Sequence, residues 1–178
     1  MTPTLRPATP ADLDEILTIA GHSPEAPHWR VSDYAAYLAG SPDPLLLRTA
    51  LVVISGKQIV GFAAATLLLD GEQNRCELDS IAVHPAARRQ GVGSSLVQAV
   101  LSWAARHGAR RVGLEVRAGN SPAIRLYQRE GFAAEGLRPG YYPDPAEDAL
   151  LLGRPVTTVS EAAPFSTGNR VEDGRPRC

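Results

Sequence analysis

Apolar residues first recur at helical spacing at Leu13, Ile16, Leu17 and Ala20. Just ahead of them, Thr9-Pro10 offers a capping hydroxyl and a residue pre-set for a first helical turn. The helix so predicted stops near Gly21. Turn formers fill most of the stretch to Pro44, with room for one short helix, Ser32 to Ala39, and Trp29 just before it. The pattern then turns to long apolar runs, Leu45–Ile54 and Ile59–Leu69, joined by Ser55-Gly56-Lys57-Gln58. These read as two strands of a hairpin. Cys76 to Val83 reads as a third strand, closed by His84-Pro85.

Val92 to His107 carries the plainest helical pattern. At 100° per residue, Ser94, Ser95, Gln98, Ser102 and Arg106 share one side, and apolar residues fill the rest. So wide an apolar arc implies packing against a sheet. Gly108 is placed to end the helix. Arg111–Val116 then reads as a strand. Ser121-Pro122 reads as the cap and first residue of a helix to Glu130, and Phe132–Leu137 and Glu147–Leu152 as two more strands. Alternating strands and helices behind a leading hairpin argue a single mixed-sheet domain of the α/β (α+β) class. Beyond Arg154 large apolar residues become scarce, so residues 1–154 are expected to form the domain and 155–178 a disordered tail.

Composition narrows the function classes. A chain of 178 residues suits one domain. Its net charge of −1 gives no global attraction to nucleic acid or to an anionic membrane. No apolar run approaches the roughly 20 residues of a membrane span, and MTPTLRPATP lacks the apolar core of a secretory signal. Cys76 and Cys178 form neither a disulfide framework nor a metal spacing. The expectation is a reduced, cytoplasmic domain with no metal, no nucleic-acid partner and no membrane contact.

Between the third strand and the long helix stands Arg88-Arg89-Gln90-Gly91-Val92-Gly93-Ser94. A helix start presents unpaired N–H groups and about half a positive charge. Glycines at 91 and 93 leave those groups open to an anion, and Arg88 and Arg89 add charge-assisted contacts. A pyrophosphate suits such a place. A lone G-x-G pair equally marks an ordinary turn; the adjoining arginines and the strand–loop–helix order favour the anion. A Walker loop is excluded, because Gly93 precedes Ser94 rather than Lys followed by Ser or Thr. A dinucleotide fingerprint fits poorly, since the third glycine is missing.

In sequence order, Ile81-Ala82-Val83-His84-Pro85 and Arg88-x-x-Gly91-x-Gly93 resemble the acetyl-CoA-binding motif of the GNAT superfamily of acetyltransferases. Leu114-Glu115-Val116-Arg117-Ala118-Gly119-Asn120, Ala123-Ile124-Arg125-Leu126-Tyr127 and Gly131-Phe132 extend the likeness. With Tyr141-Tyr142-Pro143 and Glu147-Asp148-Ala149, the chain is similar to the RimI branch, the ribosomal-protein-alanine N-acetyltransferases. The match is good from about Leu78 to Leu152. The resemblance implies a GNAT fold: a mixed, mostly antiparallel sheet of six or seven strands flanked by helices. Two parallel strands, ending at Val83 and Val116, would splay apart to admit a thioester. It further implies acetyl-CoA as donor, with main-chain groups of Ile81, Ala82 and Val83 pairing with the pantetheine arm. The loop Arg88, Arg89, Gln90, Gly91, Val92, Gly93 and Ser94 would hold the pyrophosphate, and Asn120 would touch the cofactor.

Acetyl transfer from a thioester to an amine needs a neutral amine, a stabilised oxyanion and a proton for the leaving thiolate. An α-amine of pKa about 7.8 is neutral roughly one time in seven at pH 7, and a lysine near 10.4 about once in 2,500. A protein N-terminus therefore needs only modest help from a base. Glu115 is the candidate base, because an acidic residue within Val112, Gly113, Leu114 and Val116 is unwelcome unless paired or used. The plainer role is a strand-face carboxylate paired with Arg117 or turned to solvent; the RimI pattern, whose matching glutamate accepts the proton, favours the base. Glu77, on the strand before the loop, is the rival, at a place where other members of the superfamily carry theirs. Tyr127 matches the family's proton donor, and a phenol of pKa about 10 stays protonated at pH 7. A core-facing aromatic is the plainer role there. Cys76 reads as buried filler.

For the acceptor, Tyr141 and Tyr142 match a pair near the family's peptide site, with Gly140 where that pattern often has asparagine, and Trp29 is a candidate for the opposite wall. His28 and His84 read as surface residues. By resemblance the acceptor is the N-terminal alanine of a small-subunit ribosomal protein. Two alternatives stay open: an acceptor lysine or small amine, and an acetyl-CoA sensor without turnover. The presence of both Glu115 and Tyr127 argues against the sensor.

Overall fold

A computed structural model describes residues 3–26, 29–71 and 73–156. His28, the tail residues 157–178 and Cys178 with them lie outside the described residues.

Strand β1 (Thr4–Pro7) leads into a single 3-10 turn (Pro10–Asp12) and helix α1 (Leu13–Gly21). The turn is tied by Asp12, whose carboxylate accepts the Thr9 N–H at 2.7 Å and the Thr9 hydroxyl at 3.0 Å. Arg6 of β1 adds two more bonds to the same carboxylate, at 2.7 and 2.8 Å. Thr9 thus serves the helix start by donating to Asp12. Helix α2 (Val31–Ala39) follows, then β2 (Leu46–Ser55), β3 (Gln58–Leu68) and β4 (Arg75–Val83). Each differs from expectation by a residue or so at its ends, where frayed hydrogen bonding makes boundaries soft.

Helix α3 (Val92–Arg106), β5 (Arg111–Arg117), α4 (Ser121–Arg129), β6 (Ala133–Pro143) and β7 (Ala146–Pro155) complete the chain. Two expectations need correcting here. The cap of α4 is Asn120, whose Oδ1 accepts the Ala123 N–H at 3.2 Å, so Ser121 is the first helical residue. The last two strands run much longer than expected, β6 to Pro143 and β7 from Ala146 to Pro155. They pair with each other through a register shift between Arg138 and Tyr142. That irregularity breaks the two-residue alternation on which a strand is recognised.

The seven strands order as β1-β2-β3-β4-β5-β7-β6. Every neighbouring pair is antiparallel except β4 and β5. Those two pair only through Arg75–Arg111, Cys76–Val112 and Glu77–Gly113. From Leu78 and Leu114 onward they have no ladder between them, so the sheet opens as a V toward Val83 and Val116. A bulge in β4 adds to this: Ala65 faces Leu78 and Ala64 faces Ser80, leaving Asp79 as the extra residue.

One face of the sheet packs under α3, where Leu96, Val97, Val100 and Ala104 meet Leu67, Cys76, Val112 and Leu114. The other packs under α1 and α2, through Ile16, Ile19, Tyr34, Val52 and Phe62. Ser95, Gln98, Ser102 and Arg106 of α3 are exposed, and the half-buried Ser94 donates its hydroxyl to Glu130. Cys76 is fully buried in the first core, and burial pushes its thiol up to about 12. It is filler.

Candidate active site

Helix α3 begins at the lip of the V. Its first i→i−4 bond runs from the Ser95 N–H to the Gly91 carbonyl at 3.0 Å. The N–H groups of Val92, Gly93 and Ser94 therefore have no helical acceptor. The loop that aims them is bent by two left-handed residues, Arg89 (φ 60°) and Gly91 (φ 84°). At Gly91 a Cβ would meet nothing within 4 Å, so conformation rather than space calls for glycine. At Gly93 a Cβ would stand 3.0 Å from Leu126 Cδ2, so that glycine also lets α4 approach. Arg88 donates from Nε to the Val83 carbonyl at 3.1 Å and from Nη2 to the His22 carbonyl at 3.2 Å. It braces the loop against β4 and the end of α1.

A cavity of about 580 Å³ occupies the V. Ile81, Ala82, Val83, Arg88, Arg89, Gly91, Gly93, Ser94, Asn120, Glu115 and Tyr127 all line it. Of the loop's expected residues, Gln90 and Val92 do not: Gln90 donates to the Ala86 carbonyl at 2.9 Å, and the Val92 side chain is buried in the core. Asn120 is doubly placed, capping α4 while bordering the cavity. Arg125 and Arg129, on α4, add positive charge to the same wall; Arg125 lies in the motif that extends the family likeness, and Arg129 carried no sequence signal.

Tyr127 is 5% exposed, with its ring edge-on to Phe132 at 5.9 Å between centroids. Burial, and secondarily Tyr142, raise the phenol above its ordinary pKa. It is thus held in its protonated form. Glu115 borders the cavity and pairs with Arg138 at 2.9 Å, not with Arg117. Glu77 lies at the closed end of the V, where β4 and β5 still pair, and faces Arg111 at 3.8 Å. It is not among the cavity-lining residues. Partial burial raises its carboxyl pKa, against the pull of Arg111.

Tyr142 borders the cavity, and Tyr141, 44% exposed, stands edge-on to it at 5.1 Å. Trp29 is not a wall of this cavity: it stacks on Tyr37 at 5.0 Å and packs with the α1–α2 core. A Trp in a loop reads as a groove residue until its partners, Tyr34 and Tyr37 on α2, are known. His84 closes a turn, its Nδ1 accepting the Ala86 N–H at 3.3 Å. Sequence reasoning missed Asp79, which borders the cavity from the β4 bulge and whose carboxyl is raised by burial. A bulge leaves no local signature in a run such as Glu77-Leu78-Asp79-Ser80.

Among the described residues, no group of three His, Cys, Asp or Glu is placed to hold a metal, and no helix is long and apolar enough to cross a membrane.

An open helix start, a split sheet and a buried phenol share one cavity, which defines a ligand pocket suited at one end to an anion such as a phosphate. Comparison with known proteins gives the family: residues 13–132 match the model described as "Acetyltransferase (GNAT) family", and the chain belongs to it. Proteins of this family use acetyl-CoA. The chain is 30% identical over 141 residues to a putative ribosomal protein bS18-alanine N-acetyltransferase of Bacillus subtilis, covering 79% of this chain and 87% of that protein. The crystal structure of the ribosomal-protein-S18-alanine N-acetyltransferase from Escherichia coli superposes with TM-score 0.72 at 27% identity. That match covers 92% of this chain and all of the other. An uncharacterized Mycobacterium leprae protein is 36% identical over 148 residues; the match takes in 82% of this chain but only 39% of that longer protein.

Proposed function

We propose that the protein moves the acetyl group of acetyl-CoA directly to the α-amine of a protein N-terminus, in the cytoplasm, and that the acceptor is the terminal alanine of a small-subunit ribosomal protein. The observation that carries this reading is the shared cavity, with an anion-binding helix start at one end and Glu115, Tyr127 and Tyr142 at the other. The likeness to the Bacillus subtilis and Escherichia coli proteins supports the acceptor.

The pyrophosphate of acetyl-CoA would rest on the N–H groups of Val92, Gly93 and Ser94, flanked by Arg88 and Arg89. The pantetheine would run along Ile81–Val83, on the β4 edge that the V leaves unpaired. Asn120 borders its path. The acceptor amine, neutral or relieved of its proton by Glu115, attacks the thioester carbonyl. A C–N bond forms, the C–S bond breaks, the thiolate takes a proton from Tyr127, and the proton that the acylated nitrogen sheds passes through solvent to restore the phenol. An α-amine suits a base that is itself held by Arg138, because it asks for little proton-abstracting power.

The test follows thiol release from acetyl-CoA with three acceptors: a peptide beginning Ala-Arg, a blocked peptide with one internal lysine, and spermine. Release with the first alone is expected. Release with the lysine peptide or spermine alone moves the acceptor to another amine. Binding of coenzyme A by calorimetry, with no release from any amine, makes the domain a sensor.

A further inference from the structure

We infer that Arg117 is a positioning residue for the acceptor: its guanidinium fixes the turn between β6 and β7 and so holds Tyr142 at the cavity wall. The inference rests on the reading that the Glu115–Tyr142 end receives the amine. Arg117 ends β5 and is 7% exposed, a charge that burial tolerates only when its donors are met. They are met almost wholly by one turn. Nη1 donates to the Pro145 carbonyl and to Glu147 Oε2, both at 3.2 Å, and Nη2 donates to the Asp144 carbonyl at 3.0 Å. The guanidinium carbon lies 4.2 Å from the centre of the Tyr142 ring, on whose face it packs. Glu147 completes the clamp by accepting the Gly119 N–H with its other oxygen, which ties the turn to the loop before Asn120.

Besides this clamp, the turn is held by the pairing of Tyr142 and Pro143 with Glu147 and Ala146 and by the Gly140 N–H, which donates to Asp148 at 2.8 Å. All of β6 is exposed except Tyr142, so apolar burial does little to place the turn. Only a planar fork meets two carbonyls, a carboxylate and a ring face together; a lysine ammonium meets fewer of them.

The experiment compares Arg117→Met, Arg117→Lys and Glu147→Gln with the wild-type protein. Kinetics use acetyl-CoA and the Ala-Arg peptide, and amide hydrogen exchange is read over residues 138–148. Arg117→Met should raise the peptide KM about tenfold, the factor that 1.4 kcal/mol gives. The KM for acetyl-CoA should change by less than about twofold, and amides 138–148 should exchange faster while β2–β4 keep their protection. Arg117→Lys should fall between. In a Tyr142→Ala background the same change should add little to the peptide KM. If Arg117→Met does not fold, Glu147→Gln must shift the peptide KM in the same direction by less. Equal rises in both KM values, or unchanged exchange over 138–148, overturn the inference. Should the wild-type protein acetylate no peptide, the acceptor reading fails on its own, and the exchange data still decide whether Arg117 holds the turn.

Discussion

At the donor end of the cavity, shape comes from main-chain conformation. Arg89 and Gly91 turn left-handed, α3 begins, and three N–H groups are left without helical acceptors, all within six residues of sequence. At the acceptor end, shape comes from side chains far apart in sequence. Arg117 reaches Asp144, Pro145 and Glu147, Glu115 reaches Arg138, and Tyr142 meets the cavity across a register shift. The first kind of site is local, and under the proposed function it would hold the shared donor. The second is assembled from three strands and is free to vary with the acceptor, as loops on a rigid scaffold commonly do. Donor and acceptor recognition can therefore change independently.

The strongest break in that picture lies where the two ends meet. Tyr127→Phe should lower kcat about a hundredfold, within the usual range for losing a general acid. The KM for acetyl-CoA should hardly move, because the lost hydroxyl acts only in the transition state. Stopped-flow thiol release checks this, and unchanged kcat removes Tyr127 from the chemistry. Next, Glu115→Gln should slow transfer at least tenfold, a modest share of what a general base contributes. Glu77→Gln should change the rate by less than about twofold. The reverse result moves the base to the closed end of the V.

A smaller effect tests the donor end alone. Gly91→Val forces a β-branched residue into the left-handed region, a cost of about 1–2 kcal/mol. It should raise the acetyl-CoA KM severalfold and spare the peptide KM. Equal changes in both would show that the two ends are coupled. The smallest effect lies outside both ends. The Arg6 guanidinium beside Asp12 holds its carboxyl well below the usual carboxylate range, aided by the Thr9 N–H and opposed by burial. A carboxyl whose folded pKa lies below its unfolded value stabilises the fold above about pH 4, and that help is lost as pH falls further. Asp12→Asn should lower Tm by a few degrees at pH 7, and the gap should close toward pH 2.5. A gap that does not narrow between pH 7 and pH 2.5 would assign the effect to packing.

Much of this was legible in the chain. The wide apolar arc of Val92–His107 required a sheet beneath it, and Leu96, Val97 and Val100 indeed pack on β4 and β5. The Arg88–Ser94 loop showed its place at the start of α3 because helix starts and glycines act over a few residues. The likeness to the family carried the splayed strands and the choice of Glu115 and Tyr127.

Other features had no local trace. Ser121 and Asn120 are both good caps by residue type, and only the fold, in which Asn120 Oδ1 accepts the Ala123 N–H, chose between them. Glu77 and Glu115 are alike in sequence, each an acid in an apolar strand; the point at which β4 and β5 part company puts one in the cavity wall and the other beside Arg111. Short-range order, namely helix periodicity, turn glycines and the anion-binding loop, was decided by the sequence alone, since those forces act between near neighbours. Which carboxylate meets the cavity, where Trp29 packs and what holds Tyr142 were decided by tertiary structure, because each depends on the register of strands drawn together from distant parts of the chain.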